Sequence, residues 1–305
     1  MRGIVSTDLA SARSARRSRT ALREGAHPSV PQGQGTKVIE PAKGWAPLEL
    51  EALWRSRELL YFLTWRDVKV RYKQTILGAG WAVLRPVLTM LIFTVVFGHF
   101  AKIPSEGVPY AIFSYCALVP WTFFAYAVPQ SANSLVGNAH LISKVYFPRL
   151  VIPIAATVSG LPDFALAFAL LLGMMLVYGI MPTATVLVLP FFVLLGLMAI
   201  LAVGIWLSAL SAQYRDVVHA VPFLVQIWLF ATPVAYPISL IHGKLQLVFA
   251  LNPMTGVVEG FRWALLGTHD LHVAPLVAST AVTMIMLLGG LCYFRRVERR
   301  LADVI

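Results

Sequence analysis

Long apolar stretches separated by short polar ones dominate the chain from about residue 76 onwards. One helical crossing of a bilayer requires about 20 consecutive apolar residues. Stretches such as FALAFALLLGMMLVYG lack strict alternation of apolar and polar positions, which favours helices over a barrel. The pattern predicts an all-α integral membrane protein with six transmembrane helices, at about residues 76–100, 110–136, 150–178, 186–210, 217–237 and 273–294.

A different pattern precedes the first span, in LELEALWRSRELLYFLTWRDVKVRYKQT. Its apolar residues recur on one helical face, and Glu51, Arg55 and Glu58 occupy another, with Glu51 and Arg55 spaced for an i,i+4 ion pair. The apolar face comprises Leu50, Leu53, Trp54, Leu60, Tyr61 and Trp65, and the basic cluster after it comprises Arg66, Lys69, Arg71 and Lys73. Aromatic and basic residues in this arrangement suit lipid headgroups. We expect an amphipathic helix on the inner membrane surface; a helix packed wholly against protein is the alternative.

The connection before the last span is also apolar, in LQLVFALNPMTGVVEGFRWALLG. The Asn252-Pro253 pair divides it into pieces of about 7 and 14 residues, which are too short to cross a bilayer. A pair of short helices that enters and leaves on one side predicts a re-entrant hairpin. Glu259 and Arg262, at i,i+3, are placed to form a pair on the second piece.

Composition and charge agree with a membrane protein and set its orientation. Of the residues, 58% are hydrophobic and 13% charged, against about 25% charged in soluble domains. The net charge of +11 does not indicate nucleic-acid binding, because 14 of the 25 Lys and Arg precede residue 74 and four more lie in RRVERR. With the N-terminus inside, 21 basic residues lie inside and three outside, which predicts that both termini are cytoplasmic.

The first 45 residues have a separate character. ARSARRSRTALREG is rich in Arg, Ser and Ala, and no apolar segment of a secretory signal follows it. An organellar transit peptide shares this composition. We expect residues 1–45 to be a disordered, basic cytoplasmic tail.

The stretch GNAHLISKVYFPRLVIP lies on the predicted cytoplasmic side, between spans two and three. Asn138 is a candidate N-cap and Pro148 a stop. Between them, Leu141, Ile142, Val145 and Tyr146 share one predicted helical face, with Lys144 and Arg149 at its rim. An amphipathic helix of this size fits a coupling helix that inserts into a separate ATPase; a helix lying flat on lipid is the alternative.

Enzyme motifs are absent from the sequence. There is no G-x-x-x-x-G-K-[ST] phosphate loop, no H-E-x-x-H and no G-x-S-x-G, so we expect no ATP site and no other cofactor or metal in this chain. The two cysteines, Cys116 and Cys292, lie inside apolar stretches and indicate neither a disulfide framework nor a metal site.

Two charged residues lie within predicted spans, Arg85 in the first and Asp163 near the middle of the third. Either is costly in hydrocarbon. A proton relay is one interpretation. A structural pair, or two groups facing a wet cavity, is the interpretation that we favour, because a relay usually requires more carboxylates.

Aromatic residues are frequent in spans one, two and five. Some belong to interfacial belts, but Trp121 lies at about mid-span. Aromatic rings stack on the C–H faces of sugars, so an aromatic-lined conduit would pass a polyhydroxylated chain. Simple packing is the alternative for any single residue. The candidate conduit residues are Trp81, Phe93, Phe97, Tyr115, Trp121, Phe123, Phe124, Tyr126, Trp228 and Tyr236.

Several stretches together resemble the ABC-2 type permease subunit of polysaccharide exporters, the family that exports O-antigen, capsular polysaccharide and teichoic acid. They are RDVKVRYKQTILGAGWAVLRPVLTMLIFTVVFG, VPWTFFAYAVPQSANSLVGNAHLISKVYFPRLVIPIA, SAQYRDV, PFLVQIWLFATPVAYP and LNPMTGVVEGFRWALLG. The resemblance covers about residues 46–305.

The resemblance implies the fold of type V exporters: a homodimer of six-span permeases above separate ATPase subunits, which bind the ATP and Mg²⁺. It implies an interface helix at about 48–65, a coupling helix at about 138–148 and an outer re-entrant pair at about 245–267. It extends the ATPase-coupling set to Arg215 and Asp216 of SAQYRDV. The implied substrate is a lipid-linked polysaccharide in the bacterial cytoplasmic (inner) membrane. An exporter of drugs or lipids, and a membrane glycosyltransferase or ligase using Glu259 and Asp270, are the alternatives.

Overall fold

The computed structural model describes residues 50–73, 78, 80–241, 243–267 and 272–304. Within these ranges the secondary structure is helical and contains no strand. The tail predicted at residues 1–45 lies outside them. The α-helices are α1 (Leu50–Arg55), α2 (Arg57–Tyr72), α3 (Gly80–Phe93), α4 (Tyr110–Gly137), α5 (Ala139–Lys144), α6 (Val151–Val158), α7 (Leu161–Val177), α8 (Leu189–Gln213), α9 (Asp216–Trp228), α10 (Lys244–Ala250), α11 (Pro253–Leu266) and α12 (Val273–Val304).

Five helical segments among the described residues are long and apolar enough to cross a membrane. They are Gly80–Phe100, Tyr110–Gly137, Val151–Val177, Ala184–Gln213 and Val273–Glu298. In the first, a π-helix (Thr94–Phe100) continues α3, and in the fourth, a 3₁₀ turn (Ala184–Val188) precedes α8. In the most apolar part of α4, 78% of residues are buried, against 17% in the first and last segments. The helix α4 is therefore the centre of the bundle.

The fifth predicted span, 217–237, is shorter than expected. Its helix α9 has 13 residues and ends at Trp228. A series of turns follows through Pro233, and a residue preceding proline disfavours helical geometry. The composition of 217–237 predicted a continuous helix because it does not reveal that a distant side chain, Arg262, serves the carbonyl groups of this turn.

The third predicted span is divided in two. Its helices α6 and α7 are separated at Ser159 and Gly160. A side chain at Gly160 would collide with the rings of Phe123 and Tyr126, so this crossing of α4 requires glycine. Pro162 lies in the first turn of α7, where the missing N–H costs nothing.

The predicted break between the two helices before the last span is confirmed. Helix α10 ends at Ala250 and α11 begins at Pro253, with 7 and 14 residues respectively. Asn252 caps α11 by accepting a hydrogen bond from the N–H of Met254 at 3.0 Å. Two glycines on α11 allow close packing, Gly256 against Ser279 of α12 and Gly260 against Phe192 of α8.

The amphipathic segment forms two helices, and its predicted apolar face divides into two faces. Leu53 and Leu60 pack with the buried Leu63 against the bundle. Trp54, Tyr61 and Trp65 point away and are more than half exposed, which is the expected placement for headgroup-seeking rings. The expected Glu51–Arg55 ion pair is present at 2.5 Å.

Two apolar clusters hold the bundle together. The larger is centred on α4, α8 and α11. The second apolar cluster unites α2, α6 and the C-terminal ends of α4, α8 and α12, through Leu63, Leu135, Val151, Ile152, Ala155, Ile205, Ala209, Phe294 and Val297. Those three C-terminal ends therefore lie at the same end of the bundle.

Candidate functional site

A cavity of about 930 Å³ lies between α2, α3, α4 and the junction of α6 and α7. Its wall carries three arginines, Arg66, Arg71 and Arg85, and two carboxylates, Asp67 and Asp163. The amides of Gln130, Asn133 and Asn138 and the rings of Trp81, Phe123, Tyr126 and Phe164 complete the lining used below. A cavity with both cationic and aromatic walls suits an anionic, sugar-bearing ligand better than a purely apolar one.

Arg71 is the most connected of these arginines. Its Nη1 donates to Asp163 at 2.7 Å, and its Nη2 donates to Ser159 at 3.0 Å and to the hydroxyl of Tyr126. The Tyr72 hydroxyl also donates to Asp163. Burial lowers the pKa of the Arg71 guanidinium, and the charge of Asp163 opposes that change. The network fastens the end of the interface helix to the break in the third span.

Arg66 connects the cavity with the stretch that follows α4. It donates to Asp67 at 2.8 Å and to the Asn138 side-chain oxygen at 2.9 Å. The Asn138 amide donates in turn to the carbonyl of Ser134 at 2.8 Å. Asn138 occupies the N-cap position of α5 as predicted, but its side chain makes no capping hydrogen bond there.

Arg85 contributes an available cation. Its guanidinium lies 5.9 Å from the ring centre of Trp81, and both side chains line the cavity. Among the described residues no hydrogen bond or ion pair engages it, and it does not pair with Asp163, which Arg71 holds. Asp163 thus pairs with Arg71 and not with Arg85, and both Arg85 and Asp163 line the cavity.

The candidate conduit aromatics fall into two groups. Trp81, Phe123 and Tyr126 line the cavity. The others make contacts within the chain, away from the cavity. Tyr115, Trp121, Phe124 and Phe93 are buried, and Phe97 packs edge-on against Phe93. Trp228 donates to Asn252 at 3.1 Å, and Tyr236 donates to the carbonyl of Phe230 at 2.6 Å. The frequency of aromatic residues in a span therefore does not distinguish those that line the cavity from those that pack inside the bundle.

The predicted coupling helix is shorter than expected, and its predicted apolar face does not form. The helix α5 ends at Lys144, and Val145 is already extended. Leu141 and Ile142 pack on the second apolar cluster. Val145 and Tyr146 are 50% and 94% exposed, so they do not share the buried face of α5. The extended backbone after Lys144 precedes Phe147 and Pro148, and a residue before proline disfavours the helical region.

Lys144, Arg215 and Asp216 of the predicted coupling set have the exposure expected of an interface, and Asn138 and Arg149 do not. Lys144, Arg215 and Asp216 are exposed. Arg149 is half-buried, and it hydrogen-bonds Glu298 on α12. Glu298 did not emerge from the sequence, although a single acid within the basic run RRVERR was a signal.

On α11, the predicted Glu259–Arg262 contact is present at 3.2 Å. Arg262 is fully buried, donates to the carbonyls of Pro233 and Val234 at 2.7 and 2.6 Å, and lies 3.7 Å from the ring centre of Phe113. Arg262 therefore engages the Glu259 carboxylate, and Asp270, the second acid of the ligase alternative, lies outside the described residues. Among the described residues no group of three or more His, Cys, Asp or Glu could hold a metal.

Arg71 was assigned from sequence to a lipid-facing basic cluster, but it faces protein. The missed signal was its spacing: Arg71 lies three residues after Val68, which is buried, so the two share a face of α2. The basic composition of 66–73 concealed this distinction between single positions.

Comparison with known proteins finds relatives that cover most of the chain. The chain is 34% identical to the O-antigen export system permease protein RfbA of Myxococcus xanthus over 257 residues, 83% of this chain and 97% of that protein. It is 27% identical to the protein of the same name from Klebsiella pneumoniae over 81% of this chain and 95% of that protein. It is 23% identical to the polysialic acid transport protein KpsM of Escherichia coli over 76% and 91%. Residues 58–266 match the family described as ABC-2 type transporter, and the chain therefore belongs to that family.

Proposed function

We propose that this chain is the membrane-spanning permease subunit of an ATP-driven exporter that moves a lipid-linked polysaccharide across the bacterial cytoplasmic membrane. The similarity to permeases named for O-antigen export and to a polysialic acid transport protein supports this substrate class. Two copies of the chain would form the pathway, and a separate ABC ATPase would bind the ATP and Mg²⁺. The missing phosphate loop supports this division of labour.

The same proposal includes six crossings with both termini in the cytoplasm. The C-terminal ends of α8 and α12 meet in the second apolar cluster, at one end of the bundle. The chain must therefore reach the opposite end before α12 begins. The 13 residues of α9 and the turn after it are the segment available for that crossing. The pair α10 and α11 would then be re-entrant from the outside, which agrees with the loop charges.

The observation that carries the proposal is the arginine-bearing cavity at the end of α2. It lies beside Asn138, at the start of the predicted cytoplasmic loop, so a ligand could enter from the inner membrane surface. Arg85 offers a cation to an acidic group between lipid and glycan, and Trp81 offers a face to the first sugar. The exposed aromatic face of α1 and α2 would hold the entrance at the headgroup layer.

The test is export in a bacterial strain that lacks the chromosomal copy of this chain and is supplied with one defined lipid-linked glycan. The wild-type chain with its ATPase should restore surface polymer. Arg85→Ala should reduce export about ten-fold, as expected for the loss of one charge-assisted contact. Arg55→Ala is the matched control, because Arg55 is exposed and outside the cavity.

Two results would contradict the proposal. The first is ATP hydrolysis by the highly purified chain alone. The second is a strain in which the wild-type chain and its ATPase leave the glycan inside but export a small amphiphilic drug, which would favour the alternative ABC-2 substrate class.

A further inference from the structure

The loop at residues 138–149, which the sequence predicts to couple to a separate ATPase, is bound to the last helix by a reciprocal pair of hydrogen bonds. The backbone N–H of Arg149 donates to the Glu298 carboxylate at 3.1 Å, and the Arg149 guanidinium donates to the backbone carbonyl of Glu298 at 2.7 Å. Each residue thus offers its side chain to the main chain of the other. The two residues are 149 positions apart, so the contact depends wholly on tertiary structure.

Apolar packing beside these two hydrogen bonds supports the contact between the loop and α12. Phe294 and Val297 of α12 are almost fully buried in the second apolar cluster, and Phe147 and Leu150 pack against the same cluster. Phe294 and Glu298 are at i,i+4 and share a face of α12. The helix therefore presents an aromatic ring to the cluster and a carboxylate to its rim.

The Arg149–Glu298 hydrogen bonds lie where the loop joins the third span, so they can transmit motion of the loop. Arg149 lies between Pro148 and Leu150, the N-cap residue of α6, so it joins the loop after α4 to the third span. The first N–H groups of a helix have no partner within that helix, and negative charge is favourable there. The cap residue of α6, Leu150, offers no side-chain hydrogen bond, and Glu298 supplies a carboxylate next to it.

We propose that Glu298 is a positioning residue that makes α12 move together with the coupling loop, residues 138–149, when the ATPase acts. This inference rests on the proposed function. It adds a second route for the motion of the loop. The loop would move α6 through the covalent chain and α12 through the Arg149–Glu298 hydrogen bonds. Movement of the end of α12 would then also displace α8. The ring of Trp206 on α8 stacks on the ring of Tyr293 on α12, with 4.9 Å between ring centres.

The experiment uses the full-length chain with its ATPase in lipid nanodiscs and in cells. Glu298→Ala removes the acceptor for the Arg149 N–H. Glu298→Gln keeps an acceptor oxygen but no charge. Arg296→Ala, at an exposed position of the same helix, is the matched control. Polymer exported per ATP hydrolysed should fall about ten-fold for Glu298→Ala, stay within about two-fold for Glu298→Gln and not change for the control.

A second measurement separates coupling from folding. Spin labels at Ser143 and Arg296, after substitution of Cys292, report the distance between the loop and α12. In the wild-type background this distance should stay constant when ATP binds, and with Glu298→Ala it should change. A wild-type distance that changes on ATP binding would overturn the inference, as would full export per ATP by Glu298→Ala. Failure of the wild-type chain to bind any ATPase would instead overturn the proposed function.

Discussion

Arg71 and Asp163, 92 residues apart in sequence, form an ion pair at 2.7 Å that fastens the interface helix to the break in the third span. Both side chains are about four-fifths buried. The pair also closes one side of the cavity. The pair therefore holds α2 against the junction of α6 and α7.

Removing one partner of this pair should cost stability. Asp163→Leu leaves the partly buried Arg71 guanidinium with Tyr126 and Ser159 but without its carboxylate partner, with an expected loss of about 1–3 kcal/mol. Thermal unfolding of the chain in nanodiscs measures it. The double variant Arg71→Met with Asp163→Leu should recover part of the loss, and an unchanged melting temperature for Asp163→Leu alone would contradict this account.

Export by a more conservative variant, Asp163→Asn, separates a structural pair from a proton relay. Asp163→Asn keeps an acceptor oxygen for Arg71, so export should remain and should not follow the proton gradient. Loss of proton-driven export in Asp163→Asn at normal expression would favour the relay.

The coupling loop offers a comparison between exposed and packed positions. Tyr146→Asp changes a side chain that is 94% exposed, so it should leave the melting temperature unchanged but weaken ATPase binding if the exposed part of the loop forms the interface. Val145→Asp should behave similarly. Leu141→Asp places a charge against the second apolar cluster and should lower the melting temperature first. Co-purification of the ATPase with each variant checks the prediction, and wild-type binding by Tyr146→Asp would exclude this face.

Much of the fold could be predicted from the sequence because span length, loop charge and proline placement are local signals. The break at Asn252-Pro253 and the Glu51–Arg55 pair are examples. Contacts between distant residues could not be predicted in this way. Arg71 lies in a basic cluster that is typical of lipid-facing residues, and the turn after α9 lies in an apolar stretch that is typical of a helix. In both cases a partner far along the chain, Asp163 or Arg262, decides the structure.

The aromatic residues illustrate the same limit and lead to a paired test. Trp121 is 4% exposed and packs against Phe124 at 5.3 Å between ring centres, so Trp121→Ala should cost about 3–5 kcal/mol through the cavity it creates. Trp81 is 44% exposed and lines the cavity, so Trp81→Ala should reduce export with little change in melting temperature. Reduced export by Trp121→Ala at wild-type stability would return that residue to the conduit.

The packing of α11 against α8 should depend on the small side chains of α11. A methyl group at Gly260 would overlap the ring of Phe192, whereas the Cβ of a residue at Gly173, on α7, would meet nothing within 4 Å. Gly260→Ala therefore forces α11 away from α8 or forces Phe192 from its position, and overpacking of this kind costs about 1–3 kcal/mol. Gly173→Ala is the control, and it should leave the melting temperature unchanged or raise it slightly because alanine favours helix. The second-site change Phe192→Leu should restore Gly260→Ala in part by making room. A Gly260→Ala protein as stable as Gly173→Ala, with no gain from Phe192→Leu, would show that α11 does not pack against α8 at this distance in the membrane.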